Sequence, residues 1–308
     1  MKSEAQSLRA PAAVSESLRH LWTASRPREW IKNTFIFAPL LFSQNALNPE
    51  LALKSAYAFA LFCLAAAGVY LINDVWDRRE DQNHPQKRLR PIASGALSVR
   101  VAAPAAVIFY LVAVAGALFL KPMFGAVTFA YVLLSVAYSK WLKHAVILDV
   151  FSIAAGFVLR VVAGAVVIDV VMSHWLLICT MLLALFLGFS KRRCELVALA
   201  ADASLHRRVL TEYDARFLDM MIAIVTSATV IAYTLYTVSH ETVQRFHTDR
   251  LLWTLPFVLY GIFRYLYLVY HKNSGGNPSQ ILVSDRPLLI TIFVWGLVCG
   301  LIIYTAPW

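Results

Sequence analysis

Charge is scarce in this chain. Of 308 residues, 15% are Asp, Glu, Lys or Arg, where a water-soluble protein carries about a quarter. A soluble globular enzyme is excluded. Glycine is also sparse, at 12 residues. No Gly-rich phosphate loop, GxSxG elbow, HExxH helix or zinc pattern occurs, so any catalysis is expected to be metal-assisted electrostatics rather than covalent nucleophilic chemistry. The four cysteines, Cys63, Cys179, Cys194 and Cys299, are scattered and have neither metal-ligand spacing nor a disulfide framework. The stretch from Met1 to Arg28 is polar and lacks the apolar core of a secretory signal.

Apolar residues fill the space that charge vacates, at 59% of the chain. They recur in runs near the length of about 20 residues that crosses a bilayer as a helix. The expected fold is all-α, a polytopic integral membrane protein with about nine transmembrane helices. The spans are expected at 33–48, 54–73, 102–120, 123–139, 146–168, 174–190, 217–238, 251–270 and 287–306. Residues 1–32 then form a cytoplasmic, interfacial N-terminal segment, and 33–308 a transmembrane catalytic domain.

The excess of Lys and Arg, 28 against 18 acids, points away from nucleic acid once its distribution is followed. Segments 1–32, 74–100, 140–145, 191–216 and 271–286 hold 22 of the 28 basic residues, whereas the opposite side holds Lys54, Lys121, Arg245 and Arg250. By the positive-inside rule the first set is cytoplasmic. Every charged cluster therefore falls on one side. The two long connections, 74–100 and 191–216, carry most of it.

The first connection runs a carboxylate cluster into a basic one. Asp74, Asp77 and Asp81 are spaced i, i+3, i+7 and share one face of a helix. Like charges so placed repel unless a cation joins them. Hard oxygen ligands suit Mg²⁺, which commonly keeps substrate phosphates in its own shell. Lys87, Arg88 and Arg90 follow within a few residues, so the stretch reads as a metal–pyrophosphate site at a membrane surface. Pro85 and Pro91 should end the helical extension near Asn83.

Other charged residues are harder to place. Asp149 and Arg160 lie within a span, where ionisable groups are costly and mark function. Eleven residues apart, they point to one side about 16 Å apart along the axis. Arg264 near a span end is expected to snorkel. Tyr138-Ser-Lys-Trp-Leu-Lys143-His144 serves equally well as an interfacial anchor or as a phosphate site. Lys191-Arg192-Arg193-Cys194-Glu195 ends a span, where cations also complement the helix dipole.

Asn73-Asp74-x-x-Asp77-x-x-x-Asp81 resembles the first aspartate-rich motif, NDxxDxxxD, of the UbiA superfamily of intramembrane prenyltransferases. The resemblance covers nearly the whole chain. It implies a helical bundle around a lipid cavity, with Mg²⁺-pyrophosphate bound at the cytoplasmic rim. The second loop departs from the pattern, since Lys191 to Glu195 stands where aromatic prenyltransferases carry a second DxxxD. Further segments are similar to the branch that transfers phosphoribose to decaprenyl phosphate. These are Arg26 to Asn33, His84 to Gly95, Tyr138 with Lys143, Asp149 with Arg160, and Lys191-Arg192 with Glu195.

That resemblance implies a transferase in which a polyprenyl phosphate attacks C1 of 5-phosphoribosyl 1-diphosphate and releases pyrophosphate. The product would feed arabinose donors of cell-wall polysaccharide such as arabinogalactan, in a bacterial plasma membrane. Asp74, Asp77 and Asp81 would hold Mg²⁺, with Asn73 in support. Lys87, Arg88, Arg90, Lys191 and Arg192 would bind donor phosphates, and Tyr138 and Lys143 the lipid phosphate or the donor. Lys32, Arg160 and Glu195 are assigned to substrate as well. Asp149 is assigned there too, with metal and ribose hydroxyls both open to it. The expected partners are the two substrates and the membrane, with no nucleic acid and with room for a homo-oligomer. Two other readings stand beside this one: prenyl transfer from a prenyl diphosphate to an aromatic acceptor, and a phosphate-lipid transporter without chemistry.

Overall fold

The computed structural model describes residues 16–201, 212–272 and 278–305. Residues 202–211 of the second charged connection and 273–277 of the last one lie outside the described residues. Among those described, secondary structure is helical throughout. Eight helices are long and apolar enough to cross a membrane. They are α1 (Pro49–Trp76), α2 (Val99–Leu120), α3 (Pro122–Lys140), α4 (Leu148–Val167), α5 (His174–Ala201, crossing over His174–Val197), α6 (Ala215–Val238), α7 (Leu255–His271, whose span begins with the 3-10 turn at Arg250) and α8 (Arg286–Thr305).

The expected span at 33–48 is the exception. It folds as a 3-10 segment, Pro27–Phe37, followed by a five-residue helix, Ala38–Phe42. Its sixteen residues reach only about 24 Å as an α-helix, short of a hydrocarbon core of about 30 Å. Asn33 also turns its amide to the Cys63 thiol at 3.2 Å, so the segment is anchored by a polar contact.

The chain divides into two compact units. The first comprises Met1–Asn33 with Ala58–Val136. Its core joins Ala24, Leu71, Ile92, Leu97, Ala102 and Ala106. The buried face of α2 is a row of alanines, Ala102, Ala106, Ala113 and Ala117, and small side chains let apolar helices approach closely. Ile92 and Leu97 belong to the charged connection rather than to a span. Their burial pins that connection onto the helix ends.

The second unit comprises Thr34–Tyr57 with Ala137–Trp308. Its core centres on Val150, Phe157, Phe186, Phe189, Leu218, Tyr265 and Val269. Helix α4 is its inner member and buries Asp149 and Arg160 among its apolar residues. Two glycines permit the approach. A Cβ on Gly164 would lie 2.1 Å from the Ile36 carbonyl oxygen, and one on Gly188 would lie 2.6 Å from Val150 Cγ1. Helix α5 continues past the expected span end, so Lys191 to Glu195 are helical residues rather than a loop.

Candidate active site

In the first unit the acidic motif sits where α1 ends. The helix breaks at Asp77 (φ −84°, ψ 5°) and resumes as Arg78–Asn83. The backbone stays close to helical across the break, because Asp77 N–H bonds Asn73 O at 2.9 Å and Asp81 N–H bonds Asp77 O at 2.8 Å. His84 is extended, with ψ 131°. A residue before proline is pushed to that conformation, so Pro85 stops the helix at Asn83 as expected. The His84 imidazole then accepts from the N–H groups of Gln86 (3.2 Å) and Lys87 (3.3 Å) and shapes the turn.

The chain returns through a short 3-10 turn, Lys87–Leu89, to bring Arg90 back onto the acids. Asp74 and Asp81 are each 2% exposed. One nitrogen of Arg90 reaches both, at 3.1 Å to Asp74 Oδ1 and 2.6 Å to Asp81 Oδ2. Arg26 also pairs with Asp74 Oδ1, and its guanidinium lies over the Tyr70 ring at 5.1 Å. Two buried carboxylates therefore share one cationic point, with a second arginine behind. Asp77 is half-buried at the helix break, and Lys87 and Arg88 are exposed. Lys32 pairs with Glu29 at 2.6 Å.

Arg26 was not among the residues expected at the site. Its sequence neighbourhood, Arg26-Pro27-Arg28-Glu29-Trp30, reads as an interfacial anchor. What sets Arg26 apart is tertiary, a pairing 48 residues away.

The second unit holds a separate cluster around Arg192, whose side chain is fully buried. Its Nε donates to Asp149 Oδ2 at 2.5 Å, one Nη to Glu195 at 2.5 Å, and the other to the Tyr138 hydroxyl at 3.1 Å. Lys191 lies 3.8 Å from Glu195. Lys143, in the 3-10 turn Leu142–His144, is 8% exposed. Asp149 is fully buried, and its Oδ1 accepts from the Tyr213 hydroxyl at 2.7 Å and from Val150 N–H at 2.8 Å. Burial, and then the bond to Asp149, raise the Tyr213 phenol well above its ordinary pKa, so it stays a protonated donor. Arg160, deeper on α4, donates to Gly156 O at 2.7 Å and lies over Phe157. Arg264 does more than snorkel, because it forms a two-pronged pair with Asp285 at 2.8 and 3.2 Å.

Among the described residues no group of three or more His, Cys, Asp or Glu is assembled to enclose a metal. The donors nevertheless suit Mg²⁺. Asp74 and Asp81 offer hard oxygens that already converge on one point of positive charge. Mg²⁺ is commonly held by one or two carboxylates, with phosphate and water completing its octahedron.

An all-helical membrane protein with a buried aspartate pair held by arginines in one unit and an arginine–lysine cluster in the other has the build of a membrane-embedded transferase. The chain belongs to the UbiA prenyltransferase family, whose profile matches residues 34–283. A decaprenyl-phosphate phosphoribosyltransferase from Mycolicibacterium smegmatis is 31% identical over 99% of this chain and 98% of its own. The enzyme of the same name from Mycobacterium tuberculosis is 30% identical over 88% of this chain and 90% of its own. In structure, the chain is similar to a UbiA homologue from Archaeoglobus fulgidus bound to GPP and Mg²⁺. The TM-score is 0.70 at 17% identity, covering 93% of this chain and 99% of that one.

Proposed function

We propose that the chain transfers 5-phosphoribose from 5-phosphoribosyl 1-diphosphate to a polyprenyl phosphate such as decaprenyl phosphate, with Mg²⁺. The observation that carries this reading is the second cluster. It sets Lys191 and Arg192 on one turn of α5, with Asp149 and Glu195 bonded to the arginine, where a second aspartate motif would be acidic throughout. A donor with two separate phosphate groups calls for cations at a second place, whereas a prenyl diphosphate needs only one phosphate site. Full-length relatives named for this reaction support the same reading.

In the reaction the C1–O bond to pyrophosphate breaks and a C1–O bond to the lipid phosphate forms. The attacking phosphate monoester is already anionic near neutral pH, so its oxygen needs placement more than deprotonation. Asp74 and Asp81, with Asp77 beside them, would hold Mg²⁺. When bound, Mg²⁺ supplies neutralisation of the leaving pyrophosphate. Arg90 and the exposed Lys87 and Arg88 offer guanidinium and ammonium donors to its oxygens. Lys191 and Arg192 are assigned to the remaining donor phosphate, and Tyr138 and Lys143 to the lipid phosphate. The positive-inside bias supports a cytoplasmic N-terminus with these residues on the same side, and the reading sets the chain in a bacterial plasma membrane. The product would enter cell-wall arabinose-donor synthesis.

The test is direct. Membranes bearing the chain are mixed with labelled 5-phosphoribosyl 1-diphosphate and decaprenyl phosphate, with Mg²⁺ or with chelator. Labelled lipid should form only with Mg²⁺. No labelled lipid under any condition, alongside prenyl transfer to an aromatic acceptor, would replace this reading with the prenyltransferase one.

A further inference from the structure

The joint between the Lys143 turn and α4 holds an unusual backbone. Ile147 has φ 68° and ψ −47°, and Leu148 N–H bonds Val146 O at 2.8 Å. This is a γ-turn of the positive-φ kind, which is rare and strained. A β-branched residue at positive φ is an outlier in its own right, and such conformations persist where the surroundings over-determine them. The Ile147 carbonyl is held by the first turn of α4, accepting from Val150 and Phe151 N–H at 3.0 Å, and its amide is held by a phenol. Ile147 N–H donates to the Tyr213 hydroxyl at 2.7 Å, and that hydroxyl donates to Asp149 Oδ1 at 2.7 Å. The Tyr213 ring is itself fixed, 6% exposed and stacked on Phe217 with centroids 6.2 Å apart.

We infer that Tyr213 is a positioning residue for the buried Arg192 network that backs the phosphate site of this unit. Through Asp149 it aims Arg192, whose Nε bonds the other carboxylate oxygen. Through the Ile147 amide it holds the strained turn that links Lys143 to α4. One hydroxyl thus sets both the buried guanidinium and the start of the helix. Tyr213 touches no reacting atom and moves no proton. The inference rests on the phosphoribosyl-transfer reading for its consequence in turnover, but the geometry it claims can be measured without substrate.

Two readouts test it on the full chain, using wild type, Tyr213→Phe, Ile147→Gly and the double variant. The first is hydrogen exchange of the segment Leu142–Val150. Tyr213→Phe should lose protection there, and adding Ile147→Gly should regain it, because glycine adopts positive φ without steric cost. The second is kinetic. Losing a hydrogen bond to a charged group should raise KM for 5-phosphoribosyl 1-diphosphate about tenfold. The kcat should change less, and the double variant should recover part of the loss. Wild-type protection in Tyr213→Phe, or a loss that Ile147→Gly leaves untouched, would overturn the inference. So would a fall in kcat with KM unchanged. Exchange behaving as expected in a chain that makes no phosphoribosyl lipid would sink the functional reading and leave Tyr213's structural role standing.

Discussion

Arg90 stands where a metal would be useful, and removing it makes a quantitative prediction. In Arg90→Ala, Asp81 loses the guanidinium at 2.6 Å while Asp74 keeps Arg26. Stripping the partner from a buried carboxylate costs about 3–5 kcal/mol. The Arg90 side chain is 26% exposed, so water screens part of the pairing. The discounted loss is about 1–3 kcal/mol. A divalent cation entering between the same two carboxylates should restore it. At a free concentration about 100 times Kd, a ligand bound only to the folded state adds about 2.7 kcal/mol. The variant should therefore unfold earlier than wild type in chelator and recover in millimolar Mg²⁺, and its gain should exceed wild type's because Arg90 no longer competes for Asp81. The assay is thermal unfolding of the detergent-solubilised chain followed by tryptophan fluorescence, with Mg²⁺ or with chelator. An Mg²⁺ shift in Arg90→Ala no larger than in wild type would refute the shared-site argument. Asp74→Asn/Asp81→Asn should respond to neither condition.

Other outcomes follow from the same geometry. Asp77→Asn should abolish labelled-lipid formation while leaving folding intact, and full activity in that variant would remove Asp77 from the metal site. Gly164→Ala puts a methyl against the Ile36 carbonyl oxygen and should destabilise by about 1–3 kcal/mol. Gly296→Ala, inside α8 with open space around its Cβ, should instead stabilise by about 0.5–1 kcal/mol in the same unfolding assay. The Arg264 hydrogen bonds hold the Asp285 carboxyl below its usual pKa. Its contribution is present above the ordinary carboxylate range, about pH 4, and is lost as pH falls through the lowered value. Asp285→Asn should therefore flatten the acid limb of stability against pH, and an unchanged limb would contradict the pairing.

Most of the helices are legible from hydrophobicity alone, because in a membrane the length of an apolar run is itself the constraint. The same reasoning fails at 33–48. There the run is apolar enough, but its length and the Asn33–Cys63 contact matter more than composition. The Asp74-to-Arg90 stretch is legible as a charged site because its members are near in sequence and Pro85 fixes where the helix stops. Arg26 and Tyr213 are not. Each gains its importance from a partner 48 or 64 residues away, and no local spacing announces such a pairing. Asp149 is the intermediate case. Its cost inside a span marks it as important, but the sequence cannot name Arg192 as the residue that meets it.

The two clusters use arginine in different ways, and the difference bears on which cations can reach a phosphate. Arg26 and Arg90 are about a quarter exposed and bond carboxylates that a metal can also occupy. Either can turn outward once a metal takes over that charge. Arg192 has no exposed side-chain surface, and Asp149, Glu195 and Tyr138 take up its three nitrogens. Turning it outward would leave Asp149 buried and without a cation, at a cost of several kcal/mol. Lys191, a third exposed and 3.8 Å from Glu195, is the outward member of the pair. A direct phosphate grip therefore falls more naturally to Lys191, with Arg192 fixing Tyr138 and Glu195 around it. Arg192→Lys and Lys191→Ala separate these roles. A lysine at 192 cannot serve three partners in the planar geometry of a guanidinium, so it should lower stability, whereas Lys191→Ala should raise KM for the phosphorylated donor and leave unfolding unchanged. The reverse pattern would make Arg192 the residue that touches phosphate.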